Sequence, residues 1–241
     1  MGVVSAILDS VWPRKCEVCG GGADRPGRHV CSACLMRLPF TPAEGCCRIC
    51  GRPVEGLCRE YLCEDCSGAN APAFDRAASA LRFEGRAREM VHGFKSRQEI
   101  WLRDDFCDWL EAAARVRFDI PAVDVVLPMP VVLRHKFDRG YNQCDFLARC
   151  LAERFGRICR AGVLARCGNP KRQAGLDEES RRENVKGTFT VRKPQFVRGR
   201  TVLVVDDVMT TGATLSECAK ELKSAGAWRV WCLTLARSVR T

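Results

Sequence analysis

The rhythm of apolar and polar positions changes once, sharply, along the chain. Up to about residue 70, Cys, Gly and Pro dominate and apolar residues come without a period, the pattern of loops and short hairpins. From Phe74 the chain becomes regular. ASALRF (78–83) predicts a strand, and 86–95 a helix. A second helix is predicted over about 100–116, with Trp101, Phe106, Trp109 and Leu110 as its apolar face. VDVVLP (123–128) is a short apolar run of the buried-strand kind. Cys144, Leu147, Ala148, Leu151 and Phe155 then recur at helical spacing, before a charged, turn-rich stretch over 166–187. TVLVV (201–205) predicts a buried strand, followed by the loop DDVMTTG. A helix with a Leu215, Cys218, Ala219, Leu222 stripe comes next, ended by Gly226. RVWCLTLA (229–236) closes the series as a last strand. Strands alternating with helices predict an α/β unit with a mostly parallel sheet and right-handed crossovers. Ala71–Phe74 reads as a linker, dividing the chain into residues 1–70 and 71–241.

The 241 residues suffice for one such unit plus a small module. The opening MGVVSAILDSVWPRKC lacks a basic start and its apolar run is broken by Asp9, so it reads as an amphipathic helix rather than a signal peptide. No stretch reaches the roughly 20 apolar residues of a membrane span. The expectation is a cytoplasmic protein without a membrane partner. Its net charge of +10 is placed unevenly: residues 130–200 hold 17 Lys/Arg against seven Asp/Glu, which is the whole excess. Such a segment calls for phosphates, on a small molecule or on nucleic acid.

Ten of the 17 cysteines lie between Cys16 and Cys66. Cys16-x-x-Cys19 precedes Cys31-x-x-Cys34, and Cys47-x-x-Cys50 precedes Cys63-x-x-Cys66, two sets with the spacing of a structural Cys₄ zinc site. One or two Zn²⁺ ions would supply the folding energy of a module too small to bury a core. Pairing within each set is the simpler arrangement, and a crossed one stays open. Cys46 and Cys58 are left over, Cys46 as an alternative to Cys47, and His29 is a further donor.

VLVVDDVMTTGAT (202–214) carries the most chemistry. Thr210, Thr211, Gly212, Ala213 and Thr214 open a helix, where consecutive backbone N–H groups and the dipole favour an anion. Gly212 permits close backbone approach. Asp206 and Asp207 at the strand end repel phosphate, so they must face hydroxyl donors or a cation, as a ribose 2′,3′-diol with a nearby Mg²⁺ provides.

This 13-residue pattern resembles the 5-phosphoribosyl-1-pyrophosphate (PRPP) motif of type I phosphoribosyltransferases. With the cysteine sets, the chain from about Cys16 to Arg237 resembles the ComF (competence protein F) family. HGFK (92–95), LPMP (127–130), RGYNQ (139–143), RQAGL (172–176) and RRENVKGTF (181–189) also match. Pro170, Met209 and Tyr141 depart from the family pattern. The resemblance implies a Rossmann-like type I phosphoribosyltransferase fold behind a Cys₄ double zinc ribbon. It implies PRPP held by Asp206, Asp207 and Met209–Thr214, with Arg139, Lys136 and Lys95 near the phosphates. Asp206 and Asp207 are the catalytic pair, and Gln173, Arg181 and Asn184 are contacts from a hood. The reaction implied is displacement of pyrophosphate, with Mg²⁺ accompanying PRPP, in the service of DNA uptake. The rival reading is a non-catalytic competence protein that binds single-stranded DNA or a protein of the competence machinery. Acceptor, oligomeric state and the partner of the zinc module are not legible in the sequence.

Overall fold

The computed structural model describes residues 14–54, 61–68, 71–96, 99–131, 142–167 and 184–238. The apolar runs that lack strict alternation become strands buried on both faces. These are β1 (Arg76–Arg82), β2 (Val125–Pro128), β3 (Ile158–Cys159), β6 (Thr201–Met209) and β7 (Arg229–Arg237). They form one sheet in the order β1-β7-β6-β2-β3, every neighbour parallel. Between β3 and β6, the short strands β4 (Leu164–Arg166) and β5 (Phe189–Val191) pair antiparallel as a separate ribbon.

Side chains alternate across the sheet. Leu203, Val205, Val126, Trp231 and Leu233 face one core, built with helices α3 (Gly85–Ser96), α4 (Arg103–Arg117) and α5 (Gln143–Arg154). Val202, Val204, Val125, Leu127 and Cys232 face the other, closed by Leu215, Cys218, Ala219 and Leu222 of α6 (Ala213–Ser224). Asn142 caps α5 by accepting the Cys144 N–H at 3.0 Å.

The helix predicted from residue 100 begins later. Ile100–Leu102 form a 3₁₀ turn, and Asp104 and Asp105 then occupy the first turn of α4, where the helix dipole favours them. Trp101 is 45% exposed and leaves the apolar face, its Nε1 donating to Glu17 Oε1 at 2.8 Å. The strand predicted over 201–205 runs on to Met209. Its continuation is paired to β7 through Asp206↔Thr234, Val208↔Ala236 and Met209↔Arg237. Both aspartates therefore lie within a strand, and the loop shrinks to Thr210–Gly212.

The cysteine-rich segment, with short helices α1 (Ser32–Leu35) and α2 (Glu64–Ser67), lies along the outer edge of β1. Thr41 N donates to Ala80 O at 2.9 Å, Arg82 N to Pro39 O at 2.7 Å and Ala77 N to Ile49 O at 2.6 Å, so the edge is covered. The approach is close enough to require a glycine: a Cβ on Gly51, whose φ is +67°, would stand 2.7 Å from Ala77 O. Nor is Ala71–Phe74 a loose connection. Phe74 is buried, and Ala73 N donates to Ser216 Oγ at 2.9 Å.

Candidate functional site

The carboxyl ends of β2, β6 and β7 and the amino ends of α5 and α6 converge on one region. β6 delivers its two acids to different faces, because neighbours on a strand point oppositely. Asp207 turns to the layer of α3 and α5, where Lys95 Nζ and Gln143 Nε2 each reach its Oδ2 at 2.8 Å. Burial alone would raise this carboxyl. The Lys95 ammonium and the Gln143 amide outweigh it and hold Asp207 below the ordinary carboxylate range. Asp206 accepts its neighbour's N–H (Asp207 N) at 2.8 Å on Oδ1, and the Cys144 thiol lies 3.5 Å from the same oxygen. Burial, and then the charge of Asp207, push Asp206 up to about 7. One acid is thus fixed as an anion, and the other titrates near neutrality.

Beyond Met209 the chain turns through Gly212, whose φ of +81° makes it the left-handed N-cap of α6. Thr211 Oγ1 accepts from Ala213 N at 3.3 Å. Among the described residues the backbone N–H groups of Thr210, Thr211 and Gly212 make no backbone hydrogen bond, which leaves them for a bound anion. Phe74 and Met209 lie directly beneath, each 3.6 Å from where a Cβ of Gly212 would stand.

Sequence reasoning placed Asp206, Asp207, Met209 and Thr210–Thr214 together, and the structure brings them to one strand–loop–helix junction. Lys95 arrives there too, as the partner of Asp207. Lys136, Arg139, Gln173, Arg181 and Cys58 lie outside the described residues, while Asn184 stands at the start of the segment leading into β5. Gln143 and Cys144 were not singled out. Gln143 ends the RGYNQ motif and is only 2% exposed, so a polar residue at a core position of α5 was the available signal.

The eight cysteines form two groups, Cys16/Cys19/Cys31/Cys34 and Cys47/Cys50/Cys63/Cys66, with the sulfurs of each within 4.8 Å of one another. A zinc tetrahedron with Zn–S near 2.3 Å needs sulfurs about 3.8 Å apart. Cys19–Cys31 at 4.0 Å and Cys50–Cys63 at 3.6 Å fit that ion. The groups pair within each set. Cys46 stands aside, its thiol donating to Pro42 O at 3.4 Å, and His29 belongs to neither group.

A cleft of about 320 Å³ separates the second group from the phosphate loop, lined by Cys50, Cys66, Phe74, Thr211, Gly212 and Arg237 among others. Arg237 is 2% exposed and its Nη1 donates to Cys50 O at 2.5 Å. As the strand partner of Met209, it joins the metal knuckle to the root of the loop. Nothing in the sequence marked it.

Two family models match the chain: the double zinc ribbon domain over residues 7–67 and the phosphoribosyl transferase domain over residues 148–240. The chain is similar to Competence protein F of Haemophilus influenzae, 26% identical over 231 residues, covering 93% of this chain and 97% of that protein. It is also similar to DNA utilization protein YhgH of Salmonella typhimurium, 30% identical over 220 residues, covering 83% of this chain and 94% of that protein. Among solved structures, adenine phosphoribosyltransferase from Thermoanaerobacter pseudethanolicus is 16% identical, covering 58% of this chain and 83% of that one at a TM-score of 0.37. The cysteine groups are accordingly structural zinc sites, and the parallel sheet is of the type I phosphoribosyltransferase class. Among the described residues no helix is long and apolar enough to cross a membrane.

Proposed function

The chain belongs to the competence protein F family, and from that premise we propose that it binds PRPP and transfers its phosphoribosyl group. The observation that carries this reading is the junction of β6 and α6. Two acids of opposed character stand at the strand end, and free backbone N–H groups follow at once around a left-handed glycine. A 5′-phosphate suits the loop, where Thr210, Thr211 and Thr214 add hydroxyl donors. The ribose diol suits Asp206 and Asp207. Asp207, held ionised by Lys95, accepts from a hydroxyl, while Asp206 exchanges its proton near neutral pH and accepts once ionised.

In the transfer the acceptor's electron pair forms the new bond to ribose C1, the C1–O bond breaks, and pyrophosphate leaves with its electrons. The acceptor's proton passes to water. Two carboxylates on the ribose side favour the positive charge that develops there. Mg²⁺, entering with PRPP as part of the substrate, neutralises the leaving pyrophosphate. Lys136 and Arg139 are the proposed pyrophosphate contacts, in a basic segment whose guanidinium offers paired donors. The printed names of the relatives support a role in competence and DNA use, as does the excess of 17 basic over seven acidic residues in 130–200. Single-stranded DNA or a competence-machinery protein remains the proposed macromolecular partner.

Calorimetric titration of Mg·PRPP into the zinc-loaded protein tests the reading. Micromolar binding is expected. It should weaken about tenfold or more in Gly212→Val, because a β-branched residue at φ +81° costs roughly 1–3 kcal/mol in the conformation the loop needs. An absence of heat and of thermal shift with the wild-type protein sinks it.

A further inference from the structure

A second cavity, of about 520 Å³, opens beside the acids at the carboxyl end of β2. That volume lies in the range of small-molecule sites. Its walls come from the segment after β2 (Pro128, Pro130), the first turns of α5 (Asp145, Phe146, Arg149) and the β4 strand ending in Arg166. Apolar surfaces therefore surround a few charged groups.

Those groups are not equivalent. Arg149 is already neutralised, its Nε donating to Asp145 Oδ2 at 2.8 Å on the same helix. Arg166 is not. Its guanidinium lies over the Phe189 ring, 5.3 Å from the centroid, and its Nε is shut off from solvent with no hydrogen-bond partner. No carboxylate pairs with it among the described residues. Burial pulls its affinity for the proton down, and only the more distant charge of Asp206 acts in the other direction. A half-buried guanidinium with a stacked ring behind it and no counter-ion is costly in the free protein. The cost is relieved when an anion enters the cavity, and a planar fork suits a carboxylate or phosphate.

We propose that this cavity receives the acceptor of the phosphoribosyl group, and that the acceptor is a small molecule whose carboxylate or phosphate pairs with Arg166. The proposal rests on the transferase reading above. Position favours an acceptor over pyrophosphate: Arg166 stands across the cavity from the segment after β2, amid Leu164, Ala165 and Phe146, surfaces that suit an organic body better than a hydrated metal–pyrophosphate. A neutral base would leave the guanidinium buried and unpaired, so the site selects against it.

The test uses full-length zinc-loaded protein and three probes of one shape, benzoate, phenyl phosphate and benzamide, titrated with and without Mg·PRPP. At least one anion should bind tenfold or more tightly than benzamide, and the two anions distinguish carboxylate from phosphate. Arg166→Gln should abolish that preference while leaving the affinity for Mg·PRPP unchanged. It should also raise the melting temperature of the free protein, since it removes an unpaired buried charge; a merely structural arginine would lower it. Equal binding of benzamide, or binding of neither anion, overturns the proposal. So does competition between the anions and PRPP accompanied by weaker PRPP binding in Arg166→Gln, which would assign the residue to pyrophosphate. Titration of PRPP alone reports separately on the transferase reading, because anion preference is measured in its absence.

Discussion

The two cysteine groups have nearly the same spacing, yet they stand on opposite faces of the sheet. Cys16, Cys31 and Cys34 pack into the core shared with α3, α4 and α5, whereas Cys47, Cys50, Cys63 and Cys66 pack into the core shared with α6, Phe74 and Met209. The first group is held by charge: Arg25 reaches Asp105 at 3.1 Å, Arg28 reaches Asp108 at 2.6 Å, and Asp105 accepts His29 N at 2.7 Å. The second is held by backbone contact with β1 and by Arg237, at the foot of the phosphate loop. One motif thus does two jobs, fastening a helical layer in one place and supporting a ligand loop in the other.

The largest effect should come from breaking the second group. Cys47→Ser with Cys66→Ser removes a metal site worth on the order of 10 kcal/mol and should abolish Mg·PRPP binding. The matching Cys16→Ser, Cys34→Ser pair should lower the melting temperature comparably. Its remaining folded fraction, however, should bind Mg·PRPP within about twofold of wild type by calorimetry. Equal loss of binding in both would show that the groups are not divided in this way.

Next in size is the Lys95–Asp207 pair. Lys95→Met leaves a buried carboxylate without its cation and should cost about 2–3 kcal/mol in denaturant unfolding, toward the low side because Lys95 keeps 35% exposure. Adding Asp207→Asn should recover part of that loss, and a cycle showing strict additivity would break the assignment.

A smaller effect separates the two acids by pH. The folded-state carboxyl of Asp206 is raised to about 7 from an ordinary 3.8, so the native protein holds a proton that the unfolded chain has given up. Stability from this group is present below about pH 4 and is lost as pH rises through about 7. Asp206→Asn should therefore melt higher than wild type at pH 8, with the difference closing at pH 5. Its Mg·PRPP affinity should lose the increase that the wild type shows across neutral pH.

Smallest should be Asp108→Asn in the first group's network. Asp108 is partly exposed and shares Arg28 and Arg154, so the cost should be about 1 kcal/mol, read by denaturant unfolding, with PRPP affinity unchanged.

Local chemistry was legible in the sequence, and long-range contact was not. The Cys₄ spacings and the Asp-Asp…Thr-Thr-Gly run announce themselves because ligands and loop lie within a few residues. β3, β4 and β5, of two or three residues each, are too short to show a period. The extension of β6 through two aspartates looks like a loop until β7 is seen alongside, offering the ladder partners. Lys95, Gln143 and Arg166 depend on neighbours from other elements, so residue type alone could not rank them above other polar residues.

The covered edge of β1 bears on how the chain is born. Ser79 of β1 meets Thr234 of β7 at a separation of 155 residues, so β1 leaves the ribosome long before the strand that completes it. At typical synthesis rates that is roughly 8–30 s with a strand edge waiting. The segments at Pro39–Thr41 and Ile49 are made before β1 and bond to its other edge as it appears. Metal capture by the nascent cysteines therefore comes first in the order of assembly, and the zinc-loaded module serves as a built-in template on which the later sheet is laid down.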